Sequence, residues 1–422
     1  MDKFKYKNLQ HFPNENSNIK PTCKKNKYTL KLDTANDVSA SFYNFSKAFY
    51  TAANLIVDRI FDKHNIDELD RYFFPVLFLY RHSIELLLKS IGCITVTDKS
   101  DRSDFFKSTF HDPKSILQYI VNNTTISLTE ELEWLSKYFQ NIAVFDKASD
   151  SFRYPYHITK ENDLFSDSKY TFERVFQKQT HINLPSEVHK ISSAYEILNN
   201  LYCTLMNISN NNPTNKYNLN TSTFLDEGGN YYEQSVVGYE YHHNDFYAHC
   251  SSYLECANFL KDYMIDEYEN GKLSGYLFYP MCYLYRNDVE LLLKAIIFDF
   301  SGISLQNICD ILYKNKHNIF KLFSFIEDDI LPMYDIDKTD NFIINTKRYC
   351  EILHNFDSDS SKFRYPVNKD CNPYQTSTRY YSFVETGVFL ESLCNAVDSI
   401  HGEIQNRAEF LAEMESEYSS YY

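Results

Sequence analysis

The chain has 422 residues, 43% of them apolar, enough for one large domain or two or three ordinary ones and incompatible with a disordered, collagen-like or purely coiled-coil protein. Only 9 glycines and 11 prolines are present, which favours helices over tight turns and leaves no glycine-rich phosphate loop. With 42 Lys and Arg against 57 Asp and Glu, the net charge of −15 excludes a broad basic surface for nonspecific nucleic-acid binding, while a small local site remains allowed.

Along the chain, residues 1–37 form an N-terminal extension without the apolar core of a signal segment. Helices are predicted over about 38–60, 71–92 (with Pro75 in the first turn), 113–121, 128–143 (opened by the cap signal Ser127-Leu-Thr-Glu130) and 185–208, with short strands possible within 161–183. The Asn-, Thr- and Gly-rich stretch 207–235 reads as a linker. Beyond it, helices are predicted over about 243–268, 276–299, 316–328, 339–354 and 378–415, the last running into a polar tail suited to projecting or meeting a partner. The apolar run Tyr72–Tyr80 ends at Arg81 and is too short to span a bilayer. Ten cysteines lie scattered without a C-x-x-C pair, so buried free thiols in a reducing, cytoplasmic setting are expected.

The most informative feature is an internal repeat. YFFPVLFLYRHSIELLLKSIG at 72–92 matches YLFYPMCYLYRNDVELLLKAI at 277–297, placing Pro75, Arg81, Glu85 and Lys89 against Pro280, Arg286, Glu290 and Lys294. FDKASDSFRYP at 145–155 matches FDSDSSKFRYP at 356–366, and a weaker echo pairs FHDPKSILQYI at 110–120 with KHNIFKLFSFI at 316–326. Three blocks in one order imply one domain used twice, with copies at 38–206 and 236–422.

Arg81, Glu85 and Lys89 stand along one helix face, as do Arg286, Glu290 and Lys294, within text otherwise almost wholly apolar. These trios are therefore at least half-buried, and buried charge requires partners in good geometry. Arg153 and Arg364, preceded by Asp146 and Asp357, are expected to join them by reaching the Glu of their own half or the nearby Asp. The network is either structural or a ligand site. Pro155 and Pro366 force the preceding Tyr out of helical conformation, so each RYP is a sharp exit from a helix or loop. His242, His243 and His249 form a weaker metal-binding candidate, since adjacent helical residues point about 100° apart.

The order RHSIELLLK, HDPKSIL, FRYP in one half and RNDVELLLK, HNIFKLF, FRYP in the other resembles the HEPN superfamily of small helical domains found in toxin–antitoxin and antiviral systems. The resemblance covers about 40–205 and 240–400 and implies an all-α fold of two tandem pseudo-repeated helical-bundle domains. It also implies a metal-independent ribonuclease of defence or toxin type, in which an Arg and a His four to six residues later act on the RNA 2′-hydroxyl and phosphate. Other family members are catalytically inactive modules that bind a nucleotide, nucleic acid or protein partner. Arg348 and His354 fit the catalytic spacing, although six residues of regular helix leave them roughly 120° and about 9 Å apart. The first half has no such pair, so a two-motif site would require a homodimer. The implied partners are RNA or a nucleotide, a second chain or a partner protein of the same system, with no membrane, no metal and no cofactor.

Overall fold

The computed structural model describes residues 11–24, 26–34, 37–124, 129–161, 169–208, 219, 221–238, 245–272 and 274–419. The chain is mostly helical, with three two-stranded antiparallel ribbons among the described residues. In chain order, strand β1 (Thr29–Leu32) precedes α1 (Val38–Lys63), α2 (Ile66–Arg71), α3 (Phe73–Thr95), α4 (Lys99–Thr109), α5 (Pro113–Asn122) and α6 (Glu130–Asp146). A hairpin of β2 (Tyr156–Glu161) and β3 (Lys169–Arg174) leads to β4 (Thr180–Asn183) and α7 (Leu184–Leu205). Strand β5 (Gln234–Val237) is followed by α8 (Asp245–Glu269), α9 (Phe278–Phe300), α10 (Leu305–Asn315), α11 (Ile319–Phe325) and α12 (Asn341–Phe356). The chain closes with β6 (Arg379–Ser382) and α13 (Phe383–Ser419).

The helix starts follow from local chemistry. Asp37, Asp112, Asn183, Ser304, Asn318 and Asp340 each accept a backbone N–H of the first turn, and Pro113 and Pro185 stand where no donor is needed. The cap of α6 is Thr129, which accepts from the Leu132 N–H, while Ser127 lies outside the described residues. Helices α3 and α9 are apolar almost all round and therefore buried, and each is the hub of its half. Helices α1, α5 and α7 pack on α3, as α8, α11 and α13 pack on α9. Three helices escaped the sequence reading: α2, α4 and α10. In α4 a charged face masks the signal, and its buried Phe105 ring fills the space where a Cβ on Gly92 of α3 would stand, 2.3 Å from Cζ.

The two hubs touch through a ring pair, and one apolar cluster runs through both halves. At the seam Phe78 stacks on Tyr283, with ring centroids 4.5 Å apart, and these residues occupy corresponding positions of the sequence repeat. Residues assigned to the extension and the linker are also packed. Thr29–Leu32 pairs with Arg379–Ser382, while Gln234 and Ser235 pair with Asn183 and Ile182 of β4 and Ser235 Oγ donates to the Leu69 carbonyl. Trp134 Nε1 donates to the Thr221 carbonyl, so this part of the predicted linker is bound to the first half. No helix among the described residues is long and apolar enough to cross a membrane.

Candidate functional site

Glu85 and Glu290 organise two polar centres with the same set of partners. Around Glu85 Oε1 converge Lys89 Nζ at 2.8 Å, His111 Nδ1 at 2.9 Å and the Tyr365 hydroxyl at 2.8 Å. Around Glu290 Oε1 converge Lys294 Nζ at 2.7 Å, His317 Nδ1 at 2.9 Å and the Tyr154 hydroxyl at 2.6 Å. The Tyr in each case comes from the opposite half of the chain. The two RYP segments are thus exchanged, and each centre is complete only when both halves are present.

The second carboxylate oxygen faces the Arg one turn earlier, Arg81 at 3.6 Å in the first centre and Arg286 at 2.9 Å in the second. Each Arg also donates from Nη2 to the backbone carbonyl of the His, 2.5 Å to His111 and 2.6 Å to His317. The residue before each His is bent into an uncommon backbone region: Phe110 has φ 47° and ψ −113°, Lys316 φ 45° and ψ −107°. Such a conformation costs of order 1–3 kcal/mol in a non-glycine residue and persists only where the surroundings enforce it. Here the Arg holds the His carbonyl and the Glu holds its ring, so the same bend is fixed twice.

Burial is the largest influence on both glutamates and pushes their pKa up. The attraction of the neighbouring Lys and then His outweighs it, and both carboxyls lie well below the ordinary range. Burial likewise lowers both histidines against the pull of the Glu, His317 to about 4. Each is therefore neutral near pH 7. With Nδ1–H donated to the carboxylate, Nε2 carries the lone pair, and the partly exposed ring lines a pocket. A carboxylate-oriented neutral imidazole has the chemistry to act as a general base, and the Lys beside it is paired with the same Glu.

The remaining candidates take other places. Arg153 and Arg364 do not pair with Asp146, Asp357 or the Glu of their own half, contrary to the sequence expectation. Arg153 lies over the rings of Tyr154 and Tyr283, and Arg364 over Tyr365 and Tyr283, with its Nε donating to the Ser360 carbonyl. The physical reason is the exchange: each RYP segment leaves its own half, so Tyr283 at the seam receives both guanidinium groups. Asp146 instead accepts the Asp150 and Ser151 N–H groups and faces Arg81 Nε at 3.6 Å, while Asp357 accepts the Lys362 N–H. Arg348 on α12 donates to the carbonyls of Asn14 and Ser17, tying down the N-terminal segment. His354 is half-buried, its pKa lowered by burial and then by Arg286, and no hydrogen bond joins it to Arg348. His249 is packed on Phe74, and His242 and His243 lie outside the described residues. Among the described residues no group of three or more His, Cys, Asp or Glu is placed to hold a metal ion. All ten cysteines are free, nine of them buried as expected and Cys23 exposed.

Sequence reasoning missed the two histidines and two tyrosines as site residues. The signal was available, since His111 and His317 stood in the weak repeat block and Tyr154 and Tyr365 inside FRYP. What the sequence lacked was any sign that the segments cross between halves. Comparison with family models, curated proteins and solved structures finds no match to this chain.

Proposed function

We propose that the two halves are copies of one HEPN-like helical domain, paired within a single chain, and that the protein is a metal-independent endoribonuclease. The observation that carries this reading is the doubled Glu–His arrangement, each with an open Nε2 beside a Lys and closed by a Tyr from the other copy. In this reading the imidazole acts as the base, and RNA brings its own nucleophile, the 2′-hydroxyl. His Nε2 would take the proton of the 2′-hydroxyl, O2′ would attack phosphorus, and the P–O5′ bond would break with O5′ taking a proton from water, leaving a 2′,3′-cyclic phosphate, a 5′-hydroxyl and an imidazolium that returns its proton to solvent. Lysine side chains at the pocket would offset the phosphate charge. In this reading the proton-transfer role passes from His354 to His111 and His317, and Arg81 and Arg286 position those rings.

The test uses the full chain, labelled single-stranded RNA and EDTA. Cleavage is expected with RNA and not with DNA of the same sequence. The double variant His111→Ala/His317→Ala should lose a factor of about 10²–10⁴, the usual worth of general base catalysis, while His354→Ala retains activity. Overexpression should be toxic and the double variant harmless if the chain is a growth-arresting effector of the defence type. RNA binding without cleavage would instead make it a binding module, and equal loss in His354→Ala alone would return catalysis to Arg348 and His354.

A further inference from the structure

The two centres share their partners but not their surroundings. The pocket at His111 has a volume of about 460 Å³, within the range of small-molecule sites, whereas the one at His317 holds about 190 Å³ and falls below it. The cause is the chain that follows each RYP. After Tyr154 the β2–β3 hairpin reaches over to the second half. There the Tyr170 N–H and carbonyl bond the Gln306 side chain at 2.8 and 2.7 Å, and the Tyr170 hydroxyl bonds Asp310 at 2.6 Å. Tyr156 and Ile158 of this hairpin then wall the His317 pocket. After Tyr365 the chain forms a short loop closed by the Val367–Pro373 bridge and held to α4 by Ser103 Oγ on the Lys369 carbonyl and by the Lys107–Asp370 ion pair, and the His111 pocket stays wide.

The rims differ in chemistry as well. Lys89, Lys107 and Lys369 line the wide pocket with Asp359, Lys107 being paired with Asp370, and Phe110 stands at its edge with 66% of its surface exposed. No ring contact engages Phe110 among the described residues. An apolar side chain in a bent backbone, fixed next to the base and left uncovered, is placed for a flat partner. The corresponding residue of the narrow pocket is Lys316, which lies over Tyr313 and offers no such face.

We infer that the His111 pocket is the RNA-contacting site of the pair, and that Phe110 is the platform on which a base next to the bound phosphate stacks. This inference rests on the ribonuclease reading for its choice of ligand. It is tested by fluorescence anisotropy with a labelled single-stranded oligonucleotide carrying 2′-fluoro sugars, which has no hydroxyl to react. Phe110→Ala should weaken binding between about fivefold and a hundredfold, the range that loss of one stacked base gives. Phe110→Trp should bind at least as well as the parent, and Lys316→Ala should match it. Because the Phe110 ring is exposed, melting temperatures should be unchanged, separating stacking from folding. Equal affinity for Phe110→Ala and the parent overturns the platform even where the parent cleaves RNA, so the ribonuclease reading survives alone. Weakening by Lys316→Ala and not by Phe110→Ala assigns the site to His317 instead. A parent chain that binds no RNA overturns both, and one that binds through Phe110 without cleaving supports the platform and overturns the ribonuclease.

Discussion

The Glu85 and Glu290 centres differ most in how tightly they are closed. Arg286 meets its Glu at 2.9 Å and Arg81 only at 3.6 Å, and Lys294 lies 3.9 Å from the ring centroid of Tyr154 where Lys89 lies 4.8 Å from that of Tyr365. The tighter centre is the one roofed by the hairpin. The looser one opens into the wider pocket. One polar arrangement thus stands in two settings: packed closely under the hairpin in the second half, and bordering a wider pocket in the first.

The largest effects should come from the carboxylates, because removing either strands buried cations. Glu290→Ala is expected to destabilise the chain by about 3–5 kcal/mol, and Glu85→Ala by less, since Arg81 is less closely engaged. Urea unfolding midpoints for the two variants check this, and an inverted order would break the comparison. Acid should act on the same groups. His82, at the seam, is lowered to about 3 by burial, and His317 to about 4. Their unfolded forms bind protons from pH 6.5 downward while the folded forms resist. Stability is therefore full above about 6.5 and is lost as pH falls toward these values. Glu85 and Glu290, lowered in the fold, add loss in the same direction below about 4.5. Melting temperature followed from pH 7 to 4 should fall continuously, and a flat profile would mean that the histidines titrate alike in the folded and unfolded chain.

Most helices were legible in the sequence, because caps such as Asp112–Pro113 and Asn183–Pro185 mark their starts and the apolar hubs announce burial by composition. Helix α4 was not, because only Phe105 and Phe106 carry its apolar face within KSDRSDFFKST. In the site, the repeat picked out Arg81, Glu85, Lys89 and their counterparts correctly as buried groups. It could not show which Glu each FRYP segment serves, since a segment that crosses to the other half and one that folds back have the same local text. The Arg348–His354 pair illustrates the converse: its spacing fits a motif, yet a regular α12 keeps the side chains on different faces, and Arg348 is engaged with backbone carbonyls of the N-terminal segment.

The smallest expected effects belong to the exchanged tyrosines, and they separate the two centres most finely. Tyr154→Phe and Tyr365→Phe each remove one hydroxyl donated to a buried carboxylate and leave the ring in place. Each should cost about 1.5–3 kcal/mol, the range for a hydrogen bond to a charged group. Both hydroxyls also lie 3.1 Å from the Nδ1 of their His, so each steadies the imidazole as well as the Glu. Only at the open pocket should that steadying be felt by a ligand. Tyr365→Phe is thus expected to lower the cleavage rate and move its acid limb, whereas Tyr154→Phe lowers stability alone. Parallel melting curves and pH–rate profiles for the two variants decide the matter. If the two behave alike in both measurements, the hairpin does not distinguish the centres, and the chain works as a symmetric pair.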